Sequence, residues 1–374
     1  MFQDLKVIEL ASVLAGPNVG QFLAELGATV VKIEAPAGDV TRSWKGAGEK
    51  TDDRSAYFCS VNWGKKSVVL DLTLPEGIRQ LHALVAGADI VLASYKPGDA
   101  EKLKVDYQTL SAINPGIVYG MITGYGAGNP RVGYDAIIQA EAGFMSMNGE
   151  PDGPSLKMPV ALMDVLAAHH LKEGILIALL NRMRTGRGEC VAVSLIEAAL
   201  SSLVNQGTNW LMGGKVPAKQ GSSHPNIAPY GDVFTTKDGR DLLLAVGSDR
   251  QFQDLCVLLD IAALGIDARF RTNVARVENR LELNAAMQAR VGQYDSVALI
   301  EGIHHAKIPA GFIQNVQQAL EMEEARGLLL ERGIIKGVKT YVGKSVGSND
   351  RPADLLPPPR LGEHTREFNE GWPA

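Results

Sequence analysis

The sequence predicts an α/β protein: a large domain built on a mostly parallel sheet, followed by a smaller α+β domain. Three observations carry that expectation. Short apolar runs of strand type alternate with helical patterns along the first part of the chain. The composition changes abruptly after Gly213, and a Pro- and Gly-rich tail follows Lys336.

The elements follow in order. Val7–Leu10 is a short apolar strand. Gly16-Pro17 opens a helical pattern through Phe22, Leu23 and Leu26, closed by Gly27 at a C-cap position. Thr29–Glu34 is the next strand, which completes a βαβ unit. Further strands are expected at Ser67–Leu70, Asp89–Leu92 and Ile117–Ile122, with a helix over Pro75–Ala86. Apolar spacing then predicts long helices over about Val165–Arg184 and Ser194–Met212. Lys215–Pro229 reads as a loop, and Gly231–Val246 as a hairpin turning at Lys237-Asp238-Gly239. Helical stretches from Gln251 to Ile308 complete the small domain. Pro357-Pro358-Pro359-Arg360-Leu361-Gly362 reads as an extended strap laid back on the first domain. The expected division is 1–212, 213–325 and a strap over 326–374.

Bulk properties bound the function. The chain has 374 residues, a net charge of -5 and a pI near 5.9, which argues against a nucleic-acid binder. Cys59, Cys190 and Cys256 are widely spaced and odd in number, so reduced thiols in a cytoplasmic setting are expected rather than disulfides. No secretion signal is read at the N-terminus, and no apolar stretch is long enough to span a bilayer. Dinucleotide binding is disfavoured because Ala15-Gly16-Pro17-Asn18 lacks the glycine fingerprint. Metal binding is not expected either, since adjacent His169 and His170 face different sides of a helix.

One side chain invites chemistry. Asp164 follows Met158-Pro159-Val160-Ala161-Leu162-Met163 and precedes the apolar run Val165–Ala168, with no cation beside it. A carboxylate there is costly unless it is a nucleophile or caps the helix that starts at that point; both readings stand on position alone.

Ordered islands along almost the whole chain resemble the class III CoA-transferases, the formyl-CoA transferase and carnitine CoA-transferase group. They begin with Leu5–Pro17 and Leu26-Gly27-Ala28, then Lys32-Ile33-Glu34, Gly38-Asp39 and Arg42. They continue through Asn62, Lys65-Lys66-Ser67, Leu70-Asp71-Leu72, Lys96-Pro97-Gly98 and Asn114-Pro115. Thr123–Gly126, Tyr134-Asp135, Thr185–Gly188, Pro229-Tyr230 and Leu361–Thr365 complete the series. The resemblance implies a Rossmann-like large domain whose parallel sheet draws on N- and C-terminal parts of the chain, and an interlocked homodimer. It also implies CoA transfer from an acyl-CoA thioester to a free carboxylic acid through an acyl-aspartyl anhydride and an aspartyl-CoA thioester, with no permanently bound cofactor.

The resemblance makes Asp164 the nucleophile and Asp135 a second catalytic carboxylate, with a turn-stabilising aspartate the alternative reading of Asp135. CoA is expected against Leu14 and Ala15, the strand end Val69-Leu70-Asp71-Leu72, the turn Ser94-Tyr95-Lys96, and Tyr134. Lys102 stands where relatives meet phosphate. Arg42 is a second expected cation, and Ala35 replaces an arginine, a loss for which Arg42 or Lys32 would have to compensate. Leu14 replaces a glutamine of the oxalate enzyme, which argues against formate/oxalate exchange. Ala168 replaces a glycine and is expected to narrow the pocket. The related α-methylacyl-CoA racemases carry a histidine where Tyr134 stands, and tyrosine does not titrate near neutrality, so racemisation is disfavoured. A CoA-binding protein without turnover is the remaining alternative.

Overall fold

The computed structural model describes residues 2–343 and 355–373. Two compact units emerge among the described residues: 2–144, 157–214, 324–343 and 355–373 form the first, and residues 145–156 and 215–323 the second.

The first unit is organised by six parallel strands. They are β1 (Lys6–Leu10), β2 (Thr29–Glu34), β3 (Lys65–Val69), β4 (Ile90–Ala93), β5 (Val118–Thr123) and β6 (Cys190–Ser194), in the order β3-β2-β1-β4-β5-β6. Strands buried on both faces need apolar residues at successive positions, as in β4 and β5 at the centre of the sheet, whereas the edge strands β3 and β6 carry Lys65-Lys66-Ser67 and the exposed Cys190 and Ala192. Val7, Val30, Leu92 and Ile122 face one core, against the first helix, Ala15–Glu25, and the long helix Leu162–Thr185. Ile8, Val31, Val91 and Tyr119 face the other, against the helix Pro75–Val85 and Phe368.

Two expectations are corrected here, and one strand is added. Every strand of the sheet lies within the first 194 residues, so the described C-terminal residues add none. Pro357, Pro358 and Pro359 cannot donate to a ladder. The strap instead docks beside β3 through isolated bonds: His364 N to Ser67 O, Gly362 N to Ser67 Oγ and Val69 N to Thr365 Oγ1. The edge strand β6 was not anticipated. The helix expected over Ser194–Met212 is two helices, Leu195–Ser201 and Val204–Gly213, interrupted where Val204 takes a φ of 40°.

The second unit contains an antiparallel sheet. The strands Tyr230–Thr235 and Asp241–Ala245 form the hairpin, with Gly239 at a φ of 80° in its turn, and Ala310–Phe312 adds a third strand. Helices between Asp249 and His305 cover a core around Phe234, Phe252, Leu283 and Ile303. No described helix is long and apolar enough to cross a membrane.

Candidate active site

A parallel sheet with this strand order has a switch point between β1 and β4, where the connections leave in opposite directions and a crevice opens at the carboxyl ends of the strands. A cavity of about 260 Å³ lies there. Its walls come from Ser12–Gly16 after β1, Ser94–Pro97 after β4, Ile122–Gly124 at the end of β5, Asn129 with Arg131–Asp135, and Leu195 after β6. Ser12 N donates to Ser94 Oγ at 3.2 Å, joining the first two walls.

Asp164 reaches the same cavity from the third residue of its helix. Its carboxylate accepts no hydrogen bond and forms no ion pair among the described residues. Burial, reinforced by the negative charge of Asp135, pushes its pKa up to about 7. Burial therefore outweighs the favourable field at a helix N-terminus.

Asp135 has the opposite surroundings. Its Oδ1 accepts the N–H of Met163 at 2.8 Å, and its Oδ2 accepts from Gln139 Nε2 at 2.7 Å. Gln139 Oε1 accepts the N–H of Met158 at 2.7 Å. The helix carrying Asp164 has no side-chain cap from its own N-cap residue, Ala161, and Asp135 supplies one from across the site. The capping role considered for Asp164 thus falls to Asp135.

The other sequence candidates divide into two groups. Leu14, Ala15, Ser94, Tyr95, Lys96 and Tyr134 line the cavity. Burial raises the Tyr95 phenol to about 12, so it stays protonated. Ala35, Val69, Leu70, Asp71 and Leu72 lie outside the cavity, near the carboxyl ends of β2 and β3. Asp71 is engaged in a turn, accepting from the N and Oγ1 of Thr73. Lys102 is exposed and 3.3 Å from Asp99.

Arg42 is buried and clasped by Glu34 through Nε at 2.8 Å and a second nitrogen at 2.6 Å. It also contacts Asp53 and Pro359 O and lies over the Phe58 ring. The phosphate contact expected of Arg42 has no free donor fork to make it. Lys32 is equally engaged, with Glu9 and Asp39, so neither cation stands in for the arginine absent at Ala35. Ala168 is fully buried in the helix–sheet core and does not line the cavity, so it does not narrow it.

Two residues escaped sequence reasoning. Arg131 lines the cavity, its guanidinium 4.1 Å from the Tyr125 ring centroid and paired with Glu141. The Tyr57 phenol is raised to about 12 by burial, then by the charges of Asp164 and Asp135, which places it near both carboxylates. No motif marks either position.

Residues 2–365 match the family described as CoA-transferase family III. The succinate–glutarate CoA-transferase of Agrobacterium fabrum is 38% identical over 375 residues, spanning 96% of this chain and 92% of its own length. The acetyl-CoA:oxalate CoA-transferase of Acetobacter aceti is 35% identical and covers 100% of this chain and 96% of its own. The crystal structure of a CaiB/BaiF family protein from Brucella suis matches with a TM-score of 0.86 at 38% identity, over 97% of each chain.

Proposed function

The chain belongs to CoA-transferase family III and is a transferase of CoA, and from that premise we propose that Asp164 is the nucleophile that carries CoA from an acyl-CoA to a free carboxylic acid. The observation that carries this reading is the bare Asp164 carboxylate in the crevice between β1 and β4, raised toward neutrality by burial. A carboxylate without hydrogen-bond donors is a stronger nucleophile than a solvated one.

The steps balance without a further reagent. An Asp164 oxygen attacks the thioester carbonyl, the C–S bond breaks, and CoA leaves as thiolate from a mixed anhydride. The thiolate attacks the Asp164 carbonyl, releasing the donor acid and leaving an aspartyl-CoA thioester. The acceptor carboxylate then attacks that thioester, forming a second anhydride and freeing the thiolate. Attack of the thiolate on the acyl carbonyl yields the new acyl-CoA and restores Asp164. The cap from Asp135 fixes the first turn of the helix on which this cycle runs.

CoA lies along Leu14, Ala15 and Ser94–Lys96 in this reading. Short dicarboxylic acids are the proposed acyl and acceptor class, because relatives are named for succinate and glutarate and Lys96, which forms no ion pair among the described residues, lines the cavity. A homodimer belongs to the same reading.

Incubation with succinyl-CoA and glutarate is expected to give glutaryl-CoA. Hydroxylamine added during turnover is expected to modify the peptide containing Asp164, as read by mass spectrometry. Transfer that persists in Asp164→Asn, with no modified peptide, would sink the reading.

A further inference from the structure

Three buried lysines from three elements converge on one short segment. Lys32 of β2 donates to Ala11 O at 2.7 Å. Lys65 of β3 donates to Pro17 O at 2.8 Å. Lys172, two turns beyond Asp164 on the same helix, donates to Asn18 Oδ1 at 2.6 Å. All three ammonium groups are buried. The residues between their targets, Ser12–Gly16, form the cavity wall that follows β1.

The surroundings make this arrangement costly as a device for stability. Lys32 and Lys65 share Glu9, at 3.0 and 2.7 Å, and Asp39 lies 2.9 Å from Lys32. Lys172 forms no ion pair among the described residues, and burial pulls its ammonium down to about 8. Cations beside a helix N-terminus oppose the helix dipole, and buried ion pairs rarely outdo apolar packing. The wall they hold is itself strained. Val13 has a φ of 70°, a left-handed conformation that a β-branched residue resists, and Leu14 caps the first helix with no side-chain bond. A β-carbon on Gly16 would collide with Ala11, so the turn is also tight.

We propose that Lys32, Lys65 and Lys172 are positioning residues that hold Ala11–Asn18 in the strained shape in which Leu14 and Ala15 receive CoA. The proposal rests on the reading of this cavity as the CoA site. Binding is stronger when the wall is already in place, because no ordering cost is incurred on association.

The test measures binding of coenzyme A itself by calorimetry, alongside thermal melting. Lys172→Met removes a buried cation without orphaning a carboxylate, so its melting temperature is expected to hold or rise while CoA binding weakens by about fivefold or more. A merely structural lysine would not move the two readouts in opposite senses. The charge-balanced double Glu9→Gln/Lys65→Met is expected to weaken binding by at least the same factor. Arg182→Met, which removes an ion pair to Asp89 at the far end of the same helix, is expected to lower the melting temperature and leave binding intact. Native-like CoA affinity in a folded Lys172→Met protein overturns the proposal. Absence of CoA binding by the native protein overturns the reading of the cavity, and the proposal with it.

Discussion

The two carboxylates of the cavity differ in one respect that decides their chemistry. Asp135 accepts two hydrogen bonds and Asp164 accepts none. Folding therefore withdraws part of the solvent around Asp164 and supplies no protein donor in its place, and linkage gives the consequence for stability. Its folded pKa near 7 lies above the ordinary value of 3.8. Between those two pH values the native state binds more protons than the unfolded state, so stability falls as pH rises and is lowest above 7. The penalty there is roughly 2–4 kcal/mol. Asp164→Asn is expected to abolish transfer while raising the melting temperature at pH 8, with the gain shrinking as pH falls and vanishing only below the unfolded value of 3.8, where the acid is protonated in both states. A melting temperature at pH 8 equal to or below that of the native protein would contradict the bare-carboxylate account.

At the scale of elements, the Asp164 helix is positioned from outside itself. Asp135 opens a short helix, Asp135–Glu141, and its side chain closes the first turn of another helix 28 residues on. An asparagine at 135 keeps the acceptor for Met163 N–H but loses the charge and the bond from Gln139. Asp135→Asn is therefore expected to cost about 1 kcal/mol in stability and to retain most transfer at neutral pH. With the neighbouring charge gone, the Asp164 pKa falls, so the acid limb of the rate profile moves to lower pH. Loss of transfer as complete as in Asp164→Asn, with melting unchanged, would instead make Asp135 a catalytic group. This cap also marks where sequence reading stops. The apolar runs of β1, β2, β4 and β5 were legible because both faces of those strands are buried, and so were the Val68-Val69 end of β3 and the loops that follow β1 and β4. The edge strand β6, Cys190–Ser194, is half exposed, so its apolar residues form no continuous buried run. Neither the reach of Asp135 to Met163 nor the clasp of Arg42 by Glu34 leaves a trace in local composition, because each depends on which elements the fold brings side by side.

Across the whole molecule, apolar surface remains on the first unit that its own core does not cover. The helix Leu162–Thr185 buries Leu171, Ile175 and Ala178 against the sheet, yet Ile177, Leu180 and Met183 are 59%, 62% and 82% exposed on another face. Helix Val204–Gly213 adds Trp210, Leu211 and Met212, the last two more than 80% exposed. A helix with apolar side chains on opposite faces is one that is covered twice. In the proposed homodimer a second copy provides that cover. Sedimentation equilibrium is expected to report a particle of two 40.0 kDa chains. Leu180→Glu combined with Leu211→Glu is expected to lower the fraction of paired chains and to reduce thermal stability, because charge replaces apolar contact on both exposed faces. Native protein that remains folded and monomeric at micromolar concentration, with full transfer activity, would leave these faces without the partner assigned to them.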